Sequence, residues 1–82
     1  MTKYALTDRG FDRIMTGLEL SLIRNKLGLT RLQWGRALGY RGTDESIGVM
    51  VRRTETMDAV PGQIERLAEM YERHGVPAEY TG

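Results

Sequence analysis

The side chains best equipped for chemistry in this chain are its arginines, and they are unevenly placed. Between Leu22 and Arg53 stand seven basic residues, Arg24, Lys26, Arg31, Arg36, Arg41, Arg52 and Arg53, against only Asp44 and Glu45. From Thr54 onward the balance reverses, with Arg66 and Arg73 facing Glu55, Asp58, Glu65, Glu69, Glu72 and Glu79. The net charge of +1 therefore hides a basic middle and an acidic final third. A guanidinium presents its N–H groups as a planar fork that fits phosphate oxygens and the edge of guanine, so the middle section has the makings of a polyanion-binding face. Ordinary solvated surface could carry the same composition, and only the placement of these residues decides between the two.

Other chemistries lack their residues. The chain has no cysteine and a single histidine, His74, which excludes a disulfide framework and a thiolate metal site and leaves His74 to complement a helix end. No nucleophile is spaced with a base, and no acid is paired with a second acid, so neither an enzyme nor a cofactor is expected. No apolar run is long enough to cross a bilayer, and Lys3, Asp8, Arg9, Asp12 and Arg13 interrupt the stretch where a signal peptide would be apolar. The expectation is a protein of the reducing cytoplasm, without a membrane association.

The elements that must hold the arginines are short helices. At 82 residues one hydrophobic core is all the chain can build. Residues 1–15 form an N-terminal segment in which Thr7 and Asp8 precede Phe11, Ile14 and Met15, the pattern of a short helix. Thr16 and Glu19 make a capping box, each side chain able to take an amide of the other residue, and a helix is expected from there to Gly28. Its buried positions are Leu20, Ile23 and Leu27, with Leu18 and Leu22 beside them. A second capping box, Thr30 with Gln33, opens a helix of about two turns that ends at Gly39. Thr43 then caps a third helix whose inner face is Ile47, Met50, Val51 and Thr54, leaving Asp44, Glu45, Gly48, Val49 and Arg52 on the other side. Pro61, as a first helical residue, opens a fourth helix with Ile64, Leu67, Ala68 and Tyr71 inward, ended by His74, Gly75 and Pro77. The core domain spans 16–76, and 77–82 reads as a tail.

The run from Leu27 to Gly39, LGLTRLQWGRALG, followed by Ile47 and Met50, resembles the helix-turn-helix of the Cro and lambda-repressor superfamily, the Xre type. It shares the leucine-glycine-leucine-threonine lead-in, a small residue at Gly35 where two helices would cross, and the leucine-glycine ending at Leu38 and Gly39. Val60-Pro61 and the helix after it resemble the family's fourth helix. The resemblance covers roughly residues 16–76, with the helix pair at about 30–53. Two departures stand out: the turn carries two extra residues around Arg41 to Thr43, and Arg31 stands where a glutamine is common.

The resemblance implies an all-α, compact four- to five-helix lambda-repressor-like domain that binds double-stranded DNA as a small transcriptional regulator, with repression the expected outcome. The third helix would enter the major groove. Base edges would then meet Thr43, Asp44, Glu45, Gly48, Val49 and Arg52, and phosphates would meet Arg31, Gln33, Arg41 and Arg53. Simpler roles exist for several of these. Asp44 and Glu45 suit the first turn of any helix, and Arg52 could pair with Glu55 three residues on. Trp34 belongs to the inward pattern. A domain this small is expected to act as a homodimer on an inverted repeat. The acidic final third also fits a different class, an antitoxin or phage-type regulator working mainly through a protein partner.

Overall fold

The computed structural model of the chain describes residues 14–81. Five helices follow one another: α1 (Gly17–Lys26), α2 (Arg31–Ala37), α3 (Asp44–Thr54), α4 (Gly62–His74) and α5 (Ala78–Thr81). Among the described residues there is no strand, and the class is all-α as expected. The short helix expected from Thr7 lies outside the described residues.

The first two helices begin for the same local reason. In each, a threonine hydroxyl accepts the amide three residues on while the side chain of that later residue accepts the threonine's own amide. The distances are 3.2 and 2.9 Å for Thr16 with Glu19, and 3.1 and 2.9 Å for Thr30 with Gln33. Each reciprocal pair satisfies two amides that a helix start leaves bare. Both helices end at a glycine in the left-handed region, Gly28 at φ 73° and Gly39 at φ 93°, a conformation that a side chain would strain.

The core draws on the first four helices. Leu20 and Ile23 of α1, Trp34 and Ala37 of α2, Ile47 and Val51 of α3, and Ile64, Ala68 and Tyr71 of α4 are all buried, joined by Met15, Leu29, Leu38 and Val60 from the connections. Trp34 is fully enclosed and meets the ring of Tyr71 edge-on, with centroids 6.0 Å apart. The Tyr71 hydroxyl continues past it to donate a 2.6 Å hydrogen bond to the carbonyl of Ala37. That bond ties α4 to the end of α2, where helix carbonyls lack intrahelical donors.

Several expectations need correction. Leu18 and Leu22 do not join the core but stand 66% and 57% exposed. At 100° per residue they fall on the side of α1 opposite Leu20 and Ile23 and form an outward apolar pair. Pro61 caps α4 rather than starting it. Its ψ of 142° is extended, and its carbonyl accepts the amide of Glu65 at 3.0 Å, so the helix proper opens at Gly62. Leu67 is half-buried rather than fully inside. The tail is not a loose end: α5 packs against α2, where the side-chain amide of Gln33 donates to the carbonyl of Thr81 at 3.1 Å.

Candidate nucleic-acid interface

The most extensive helix contact is between α2 and α3, and Gly35 makes it possible. A Cβ at position 35 would run into Cγ2 of Ile47 and come within 2.8 Å of Cγ2 of Val51. With hydrogen there instead, α3 settles Ile47 and Val51 onto the backbone of α2. The opposite side of α3 is thereby turned outward. Asp44, Glu45, Val49 and Arg52 are exposed, Thr43 is exposed at the cap, and Gly48 is half-buried with open space where a Cβ would stand. Asp44, Glu45, Gly48, Val49 and Arg52 thus share one outward arc of α3, with Thr43 exposed at its N-terminal end.

Residues 38–43 join the two helices, and a residue that the sequence did not single out braces them. The amide of Tyr40 donates to the carbonyl of Gly35 at 2.9 Å, and its hydroxyl lies 2.7 Å from Oγ1 of Thr54. Because the Thr54 hydroxyl gives its proton to the carbonyl of Met50 at 2.8 Å, the phenol is the donor to Thr54. The longer turn is therefore pinned to the far end of α3, and its bend at Gly42, φ 131°, swings Thr43 into place, where its hydroxyl accepts the amide of Ser46 at 3.1 Å.

The charged residues sort into paired and unpaired. Arg36, to which the sequence assigned no role, reaches across the turn to Asp44 at 2.6 Å. Their separation of eight residues follows no helical spacing, so only the packing of α2 on α3 brings them together. Asp44 is thus offset by a cation before any partner arrives. Glu55 does not pair with Arg52. Its carboxylate, 6% exposed, turns inward to the Arg24 guanidinium at 2.7 and 3.4 Å, with Nε of Arg31 a further 3.4 Å contact. As the C-cap of α3, Glu55 directs its carboxylate toward α1 and the start of α2 rather than toward Arg52. Lys26 meets Glu72 at 3.4 Å in the open.

Of the residues expected at phosphates, Gln33 is the most committed, since its oxygen serves the capping box and its amide nitrogen holds Thr81. Arg31 is 46% exposed, with Nε in contact with Glu55. Arg41 and Arg53 are exposed, and among the described residues no carboxylate lies within ion-pair reach of Arg41, Arg52 or Arg53. The turn, the outer edge of α3 and its C-terminal end therefore carry uncompensated positive charge. Among the described residues no three His, Asp or Glu side chains come close enough to hold a metal ion, and no helix is long and apolar enough to cross a membrane.

Such an edge can donate to anions through Arg41, Arg52 and Arg53, accept through Glu45, and offer Val49 to an apolar group. Comparison with known proteins adds no further guide: no protein-family model, curated protein or solved structure matches this chain.

Proposed function

We propose that the chain is a small sequence-selective DNA-binding regulator of the helix-turn-helix kind, with α2 and α3 as the pair and the outer edge of α3 in the major groove. One observation carries the reading: Asp44, Glu45, Gly48, Val49 and Arg52 share an open edge headed by Thr43, flanked by arginines with no carboxylate partner among the described residues. A helix whose inner face is fixed by a glycine contact and whose outer face is polar and bare is the shape that enters a groove. The sequence resemblance to the Xre type points the same way. The protein would act in the cytoplasm as a homodimer on an inverted repeat, its half-sites about 34 Å apart, and would act as a repressor.

The test is selection of bound sequences from a random duplex pool, followed by binding at graded salt. A palindromic consensus is expected, with affinity falling steeply as salt rises, because each neutralised phosphate adds about −0.9 to the log–log slope. No consensus together with a flat salt response would overturn it.

A second reading has its own support in Leu18 and Leu22, exposed side by side on the outside of α1, with Ile14 exposed just before it. Exposed apolar residues in a row mark a surface that another protein covers. On that reading the chain is a regulator or antitoxin acting chiefly through a protein partner. A stable protein complex without any shift of duplex DNA would favour it.

A further inference from the structure

Between the C-terminal half of α1, the first residue of α2 and the end of α3 lies an open notch of about 290 Å³, lined by Ser21, Arg24, Asn25, Arg31, Arg52, Glu55 and Thr56. Three guanidinium groups meet one carboxylate here, so the notch carries two positive charges more than its own acid can balance.

The three arginines are not equivalent. Arg24 is the most committed: Nε and Nη2 donate to Glu55 and Nη1 donates to the carbonyl of Leu29 at 3.2 Å, using three of its five N–H groups. Arg31 stands in ion-pair contact with Glu55 through Nε at 3.4 Å and, 46% exposed, makes no side-chain hydrogen bond among the described residues. Arg52 has no carboxylate partner among the described residues. The hydroxyl of Ser21 donates to the carbonyl of Leu18 at 2.8 Å, which leaves only its lone pairs for the notch. The charged donors least committed to the protein are therefore Arg31 and Arg52, with the side-chain amide of Asn25 beside them.

We infer that this notch is a site for one phosphate group, held between Arg31 and Arg52, with Glu55 and Arg24 as positioning residues. Two arginines lining one cavity can offer their forks to the oxygens of a tetrahedral anion, and a guanidinium already held by a buried carboxylate loses less freedom on binding. The phosphate has two sources, the backbone of a duplex or free phosphate. The first source rests on the DNA reading above; the site itself does not. One consequence separates this site from the expectation drawn from the sequence alone. Arg52 becomes a backbone clamp, and selectivity falls to the stretch from Thr43 to Val49.

Two measurements on the full chain test the site. In the first, inorganic phosphate is titrated while the side-chain Nε–Hε resonances of arginine are followed, with chloride at equal ionic strength as control. Arg31 and Arg52 should move together and saturate, and Arg52→Ala should abolish the response of Arg31. In the second, Arg52→Ala and Arg31→Ala are compared with the parent on the selected consensus and on a shuffled duplex. Each should weaken both duplexes by the same factor and lower the salt slope by about one. Resonances that respond no differently to phosphate than to chloride would overturn the site. So would a change in the consensus-to-shuffled ratio of about tenfold in Arg52→Ala, the mark of a base contact. If phosphate is bound but no duplex is, the site stands with free phosphate as its ligand and the DNA reading falls. If duplexes bind while phosphate is silent and both variants behave as the parent, the site falls and the DNA reading stands.

Discussion

The guanidinium of Arg24, in the third turn of α1, lies 2.7 Å from the carboxylate of Glu55, which closes α3 thirty-one residues later, and both side chains are nearly buried, at 12% and 6% exposure. This pair anchors the end of α3 to α1, and Gly17 supports the same junction. The Gly17 amide donates to the carbonyl of Met57 at 2.8 Å, and a Cβ on Gly17 would strike the backbone of Thr54 and Glu55.

Removing one partner of such a pair strands the other charge. Arg24→Ala should cost about 3 kcal/mol, the low end of the range for broken buried pairs, because Arg31 still offers Glu55 a contact. The double variant Arg24→Met, Glu55→Met should cost less than Arg24→Ala alone, since no charge is then left behind. Urea denaturation of the three proteins decides it, and a double variant less stable than the single would contradict the pairing.

At Gly35 the margin is steric. Gly35→Ala should destabilise by about 1 to 3 kcal/mol, because the new methyl overlaps Ile47 and Val51 in a packed contact. For a domain of this size that corresponds to a fall in Tm of about 4 to 8 °C per kcal/mol. Gly48→Ala, where a Cβ meets nothing, should instead hold or raise Tm, since alanine is the better helix former. Equal effects at the two glycines would mean that α3 does not rest on α2 in this orientation.

Tyr71 links stability to alkaline pH. Burial, and after it the neighbouring Tyr80 and Glu79, raise its pKa above the usual 10.0. The unfolded chain therefore gives up this proton first, and between the two pKa values the native state binds more protons than the unfolded one. Stability from this group is complete below pH 10 and declines as pH rises through the native value. Tyr71→Phe should lose about 1 kcal/mol or more at neutral pH through the bond to Ala37, and show a flatter decline above pH 10. Parallel alkaline profiles for variant and parent would refute this.

The orientation of α1 separates two leucines only two residues apart. Leu20→Ala should cost about 2 to 5 kcal/mol, whereas Leu18→Ala should stay within about 0.5 kcal/mol of the parent. Thermal unfolding of both variants checks it, and a large loss at Leu18 would show that its face is covered.

Most helix boundaries could be read directly from the residues, because what starts and stops a helix acts over three or four positions. Thr16 with Glu19, Thr30 with Gln33, the cap at Thr43 and the stops at Gly28 and Gly39 all behave this way. The inner face of α3 was equally legible, since Ile47, Val51 and Thr54 repeat at the helical period. So was the need for a small residue at 35. The outer edge followed as what remained.

Contacts between distant residues had no such signal. Glu55 sits three residues from Arg52, a spacing that invites a pair, yet it turns to Arg24 because α1 offers it a buried partner. Arg36 with Asp44, Tyr40 with Thr54 and Gln33 with Thr81 likewise depend on how helices pack rather than on spacing along one of them. Leu18 and Leu22 illustrate the same limit: periodicity marks an apolar face, but which face is inward depends on the neighbours available to cover it. Local hydrogen bonding and period thus determined where the helices are, and three-dimensional packing alone decided which charges are neutralised and which are left open, because electrostatic partners are chosen by distance in space.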